Sequence, residues 1–325
     1  MRRINPHVAP DFYFEKARIP RREDAKKVRE EKKEPEKDRP KTIVPSRLTG
    51  VAALIAAIGA PGVEHLEYAQ GLLAYLSPEI RAALGDPLGA QSVMLGCLID
   101  AELTHRGRQL GALEAMGLEE LARKSEVIAP HLRNLDRAYR LPLVALAIPP
   151  LKGLDEAARA KFLEAMRATM QADQRLTLSE FVLATILDWT LGPEARRAGG
   201  VRFQERAELA AEVALVLSLL VHAGATENAA CRAAFDKAKE TLAMPALALA
   251  ARDTLALAQV AASLERLSGL PPAEKERLLE GFAAAVAADD NVRLMEHELL
   301  RAVACVLDCP MPPALGALDP RLLRK

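Results

Sequence analysis

A chain of 325 residues that is 50% hydrophobic but only 4% aromatic has ample material for a packed core, and its many alanines and leucines favour helices over sheet. Lysine plus arginine and aspartate plus glutamate both number 44, so the net charge is zero and no global field recruits nucleic acid or an anionic surface. The four cysteines, Cys97, Cys231, Cys305 and Cys309, lack the dense spacing of a secreted disulfide framework, which points to a reducing cytoplasm.

Residues 1–44 read as an aromatic arm, Phe12-Tyr13-Phe14, and a charged linker interrupted by Pro20, Pro35 and Pro40. Such a stretch buries too little apolar surface to offset the entropy of ordering it, so a disordered tether is expected. Acids interleave with its bases, which argues against a nucleic-acid or lipid patch. No apolar leader follows the opening MRRINPH. The longest apolar runs, such as 51–58 and 213–221, fall short of the roughly 20 residues that cross a bilayer, so no transmembrane segment is expected.

Residues 45–134 are expected to form an N-terminal helical array, with helices at 46–58, 63–76, 91–101, 107–115 and 118–132. Ser77-Pro78 and Asp86-Pro87 each supply a cap followed by proline in the first helical turn. Residues 137–153 form an apolar helix expected to break at Pro149-Pro150. A helix-turn-helix pattern at 154–183 then returns at 270–299 with a constant offset, since 289 − 173 = 116 and 296 − 180 = 116. The repeat extends upstream, where Leu141, Val144 and Gly153 align with Leu257, Val260 and Gly269. Between the copies lie a helix at 181–191 with the sole tryptophan, Trp189, a polar break at 192–200, a strongly apolar helix at 207–222 and an amphipathic one at 227–242. The expected divisions are 135–250 for the first repeat and 251–325 for the second with its proline-rich tail.

The two repeated turns hold the candidate chemistry. Asp289, Asp290, Asn291 and Glu296 gather oxygen donors of the kind a calcium or magnesium ion takes, and the first copy offers Asp173 and Glu180. The spacing is not that of an EF-hand. The same residues also read as caps: Thr177-Leu-Ser-Glu180 is a capping box, and Glu296 favours the positive end of the next helix. His297-Glu298-Leu299-Leu300-Arg301 begins like the zinc-protease signature H-E-x-x-H, but Arg301 cannot replace the second imidazole. Cys305 and Cys309 lie one helical turn apart, as zinc ligands or as small core residues. No P-loop, G-x-S-x-G or G-x-G-x-x-G occurs, and no catalytic residue or cofactor is assigned.

The duplicated ADQRLTLSE and ADDNVRLME resemble the helical TerB-like family, in which an Asp-containing turn separates two helices and acidic side chains are associated with metal binding. More specifically, HLEYAQGLLAYLSPEIRAALGDPLGA, LPLVALAIPPLKGLDEAARAKF, ADQRLTLSEFVL and LLRAVACVLDCPMPP together resemble the C-terminal region of bacterial membrane zinc metallopeptidases of the HtpX and CAAX-prenyl-protease type, over residues 51–315. The opening RINPHVAPDFY is similar to the junction after the peptidase core of that family, so the core and its membrane spans are expected to be missing from this chain. The resemblance implies an all-α protein with two TerB-like bundles and a non-catalytic, metallopeptidase-associated role in protein–protein interaction. It implies a protein partner, a membrane zinc metallopeptidase, and a cytoplasmic place at the inner face of the membrane. The alternatives are a zinc metalloendopeptidase by family and a divalent-cation-binding sensor.

Overall fold

The computed structural model describes residues 76–135, 137–172, 176–193, 200–225, 227–289, 292–309 and 311. The arm and linker, the helix expected at 46–58, nearly all of that at 63–76, the turn residues Asp173, Asp290 and Asn291, and the tail beyond Met311 lie outside the described residues.

Among the described residues the chain is all helical, with no strand. The α-helices are α1 (Pro78–Ala83), α2 (Pro87–Gly96), α3 (Leu103–Ala115), α4 (Glu119–Arg133), α5 (Arg140–Lys152), α6 (Glu156–Gln171), α7 (Leu178–Leu191), α8 (Ala210–Gly224), α9 (Asn228–Leu242), α10 (Leu257–Leu267), α11 (Pro272–Val286) and α12 (Leu294–Val306). Short 3-10 turns at Arg137–Tyr139, Arg206–Leu209 and Arg252–Thr254 precede α5, α8 and α10.

Local chemistry sets most of these boundaries. Ser77 accepts from the backbone N–H of Ile80, and Asp86 from that of Gly89 at 2.9 Å, with Pro78 and Pro87 behind them as the sequence suggested. Asp155 caps α6 through Ala158 at 2.7 Å. α2 stops at Gly96, earlier than the 91–101 pattern suggested, because buried Gln109 reaches across from α3. Its side chain donates to Leu98 O at 2.9 Å and accepts from Asp100 N at 2.7 Å, replacing the helical partners that continuation would have supplied.

The expected break at Pro149-Pro150 does not occur. α5 runs through both prolines to Lys152. They stand in its last turns, so the carbonyls that lose partners belong to Ala145 and Leu146; Ala145 is exposed and Leu146 half-buried, within reach of water, while buried Leu151 anchors the end.

Packing groups the helices differently from the divisions expected at 135 and 251. α2 packs on α5 and α6, α3 on α6, and α7 on α5 and α6, while α4 packs over α2 and α3. In the second unit α8 packs on α9, α10, α11 and α12, α9 also on α11, and α12 on α10 and α11. Helices α8 and α9, placed by sequence in the first repeat, thus belong by contact with α10–α12. The helix starts keep the sequence offset, 272 − 156 = 116 and 294 − 178 = 116.

Inside the second unit α9 and α11 approach closely at Gly281, where a β-carbon would overlap the Leu242 side chain. α8 is its central element, with Val213, Val216, Leu217, Leu220 and Val221 all buried. Together with the turn before it, Arg206–Gly224 is 19 residues long with a mean hydropathy of 1.6, long and apolar enough to cross a membrane by length and composition. The count of uninterrupted apolar residues had missed it. Its burial among α9–α12 equally fits a core helix.

The units meet along α7 and α12. Thr190 Oγ1 lies 3.8 Å from Cys305 Sγ, and Trp189 Nε1 donates to Asp308 Oδ1 at 3.2 Å. Since 305 − 116 = 189, each unit's last helix meets its own counterpart. Asp308 adopts a left-handed φ of 57° just past the end of α12 and also accepts from Lys275 Nζ at 3.2 Å.

Candidate functional site at the first turn of α12

The two acidic turns are built alike but not identically. Before α7, Thr177 Oγ1 accepts from Glu180 N at 3.2 Å and the Glu180 carboxylate accepts from Thr177 N at 2.7 Å, a complete capping box. The counterpart of Thr177 is Arg293, since 177 + 116 = 293. A guanidinium has no acceptor, so only the carboxylate arm remains, Arg293 N donating to Glu296 Oε2 at 2.8 Å. The guanidinium instead reaches Asp289 Oδ2 at 3.1 Å and Glu296 Oε2 at 3.7 Å.

Among the candidate cation ligands, Glu180 and Glu296 are therefore brought to helix starts as caps, and Asp289 is half-exposed beside Arg293. Among the described residues no group of three His, Cys, Asp or Glu side chains is arranged to hold a metal ion. Asp173, Asp290 and Asn291 lie outside those residues. Cys305 faces Thr190, whereas Cys309 lies beyond the helix with its thiol on Leu307 O, so one helical face does not carry both.

What sequence reasoning missed is the burial of three consecutive ionisable residues, Glu296, His297 and Glu298, which are 5%, 4% and 4% exposed. Glu296 lies against Gly224 at the end of α8, in space that any β-carbon there would fill. Burial pushes its carboxyl up to about 7, with Asp289 adding to the rise and Arg293 opposing it. Burial also depresses the His297 imidazole to about 4, helped by the nearby Arg301 cation. Glu298 is likewise raised to about 7 by burial, against the pull of Arg140, Arg301 and Arg137.

Neither ring nitrogen of His297, nor Oε1 of Glu298, has a hydrogen-bond partner among the described residues. That is unusual for groups so deeply buried. Arg137 and Arg140 stand at the head of α5, so the charges acting on Glu298 come partly from the other unit. Arg140 also acts on Cys97, whose thiol burial raises to about 11. The basic residues opening an apolar helix are visible in the sequence, but their nearness to residue 298 is not.

A second polar group closes the same end of α8. His222 Nε2 donates to Ala250 O at 2.9 Å, because a carbonyl only accepts, which leaves Nδ1 to receive the Cys231 thiol at 3.5 Å. Arg252 donates to the backbone oxygens of His222 and Ala225, satisfying carbonyls at the helix end. Burial lowers His222 and raises Cys231, the reverse of an activated thiolate–imidazolium pair.

No protein-family model, curated protein or solved structure matches this chain. The class that the fold defines is an all-α helical array, in which α7 packs against α12.

Proposed function

We propose that this chain is a non-catalytic helical interaction and regulatory module that works with a membrane zinc metallopeptidase at the cytoplasmic face of the membrane. The observation that carries the reading is the setting of His297-Glu298-Leu299-Leu300-Arg301: its histidine is 4% exposed within the helical packing, and its fifth residue is an arginine. A zinc site on one helical face takes imidazoles at the first and fifth positions and keeps a coordination position open to water or substrate. The capping roles of Glu180 and Glu296 support the same reading, because both carboxylates already serve helix starts. The choice of partner rests on the resemblance of the ordered segments between residues 51 and 315 to the region that follows the peptidase core in the HtpX and CAAX-prenyl-protease type.

The test is recovery of the full chain with its partners from detergent-solubilised membranes, where a zinc metallopeptidase is expected to co-purify. Recovery of no membrane peptidase overturns the proposed association. The purified chain is expected to show no peptidase activity that a chelator abolishes, and such activity would replace this reading with the enzymatic one. Calorimetric titration with calcium and magnesium is expected to give no binding heat; binding lost in Asp289→Ala/Glu296→Ala would instead favour a cation sensor.

A further inference from the structure

The second unit buries charge where the first buries hydrocarbon. At the 116-residue offset, Phe181 of α7 corresponds to His297 of α12 and Val182 to Glu298. Phe181 and Val182 are 0% and 1% exposed, so the same helical order accommodates an apolar pair at these positions. In α12 the pair is polar, equally buried, and incompletely bonded, with both His297 ring nitrogens and Glu298 Oε1 lacking protein partners among the described residues. Burial without a hydrogen bond penalises the folded arrangement relative to any state in which water reaches these atoms.

Arg301 lies three residues after Glu298 and four after His297, so the three share one side of the helix around a single turn. Arg137 and Arg140 of the first unit act on Glu298 as well. No ion pair within 4.0 Å joins Glu298 to either of them among the described residues. The unmet bonding is therefore concentrated at the start of α12.

We propose that the start of α12 is a releasable segment of the second unit, held short of full stability by its buried polar residues, and that release bares a helix face carrying His297, Glu298 and Arg301. This segment opens locally while the α9–α11 packing of the second unit stays closed. The proposal does not depend on the identity of any partner.

Native-state hydrogen exchange on the full chain at neutral pH, read in increasing denaturant, tests it. In the natural sequence, amides at the start of α12 are expected to exchange through an opening insensitive to low denaturant, faster than those of α9 and α11. In His297→Phe/Glu298→Val, which copies the residues of the first unit, protection at the start of α12 is expected to rise about tenfold or more, from removal of groups whose unmet bonding disfavours burial. Exchange of α12 only through global unfolding in the natural chain overturns the proposal. So does equal or faster α12 exchange in the double variant, the outcome if internal water already satisfies these atoms. Should the double variant not fold, Glu298→Gln, which keeps the shape and sheds the charge, is expected to slow α12 exchange alone; no change or a uniform change across all helices overturns the proposal.

Discussion

The carboxyl of Glu298 makes stability depend on pH in a defined direction. Its proton is held up to about 7, against an ordinary value of 4.5, so between those values the folded chain keeps a proton that the unfolded chain has lost. Stability from this residue is full below the ordinary value and is lost as the pH rises through about 7. Glu298→Gln should therefore gain on the natural chain as the pH rises across that interval, by roughly 3 kcal/mol at the top, measured by denaturant unfolding at several pH values. His297 works in the opposite sense. Its imidazole is depressed from 6.5 to about 4, so its burial is tolerated above the ordinary value and destabilises as the pH falls toward about 4. His297→Phe should show a stability gain over the natural chain that widens toward acid in the same measurement. Thr177→Ala removes one arm of the complete capping box and should lower stability by about 1 kcal/mol without altering the α-helical spectrum.

At the scale of elements, close approach and tethering dominate. Gly224→Ala places a β-carbon in the space of the Glu296 carboxylate and should lower stability by roughly 1–3 kcal/mol in chemical unfolding. The turn before α8 is fixed by Arg206, which donates to Glu274 Oε2 at 2.8 Å and to Leu242 O at 2.7 Å, tying α9 and α11 together. Burial raises the Glu274 carboxyl, but bonds from the backbone and guanidinium of Arg206 outweigh it and leave a net lowering. Arg206→Ala should accordingly cost about 1–2 kcal/mol, because it strips the helix-end carbonyl of Leu242 of its donor and the half-buried Glu274 of one charged partner, while the backbone N–H of residue 206 and Arg277 still serve that carboxylate. Elements of this kind were legible where one short pattern decides them. Thr177-Leu-Ser-Glu180 encodes its own cap within four residues, and Ser77-Pro78 and Asp86-Pro87 mark helix starts in two. Pro149-Pro150 misled because the rule against proline presumes a buried ladder, whereas the freed carbonyls here lie near water. The reach of Gln109 back to α2 left no local trace.

For the whole molecule, the offset of 116 residues foretold where α6, α7, α11 and α12 begin, since helix starts follow local patterns that a repeat preserves. It did not foretell which helices would pack together. That depends on faces brought together over long separations, as Trp189 and Asp308 are across 308 − 189 = 119 residues. The candidate site suffered most: its turn carboxylates were visible, but the burial of His297 and Glu298 arises only when α12 is seated. The contact of α7 with α12 also carries the sole tryptophan, so its emission reports on the seam directly. Asp308→Gly, which tolerates the left-handed backbone but removes the acceptor of the indole N–H, should shift Trp189 emission while leaving helix content unchanged. A helix meeting its own counterpart is the geometry by which identical subunits form a twofold dimer. Here both halves belong to one polypeptide, so their pairing is unimolecular and survives any dilution. Freed from the demand that one surface complement itself, each half can carry a different residue at the same place in the sequence repeat: phenylalanine at 181, histidine at 297.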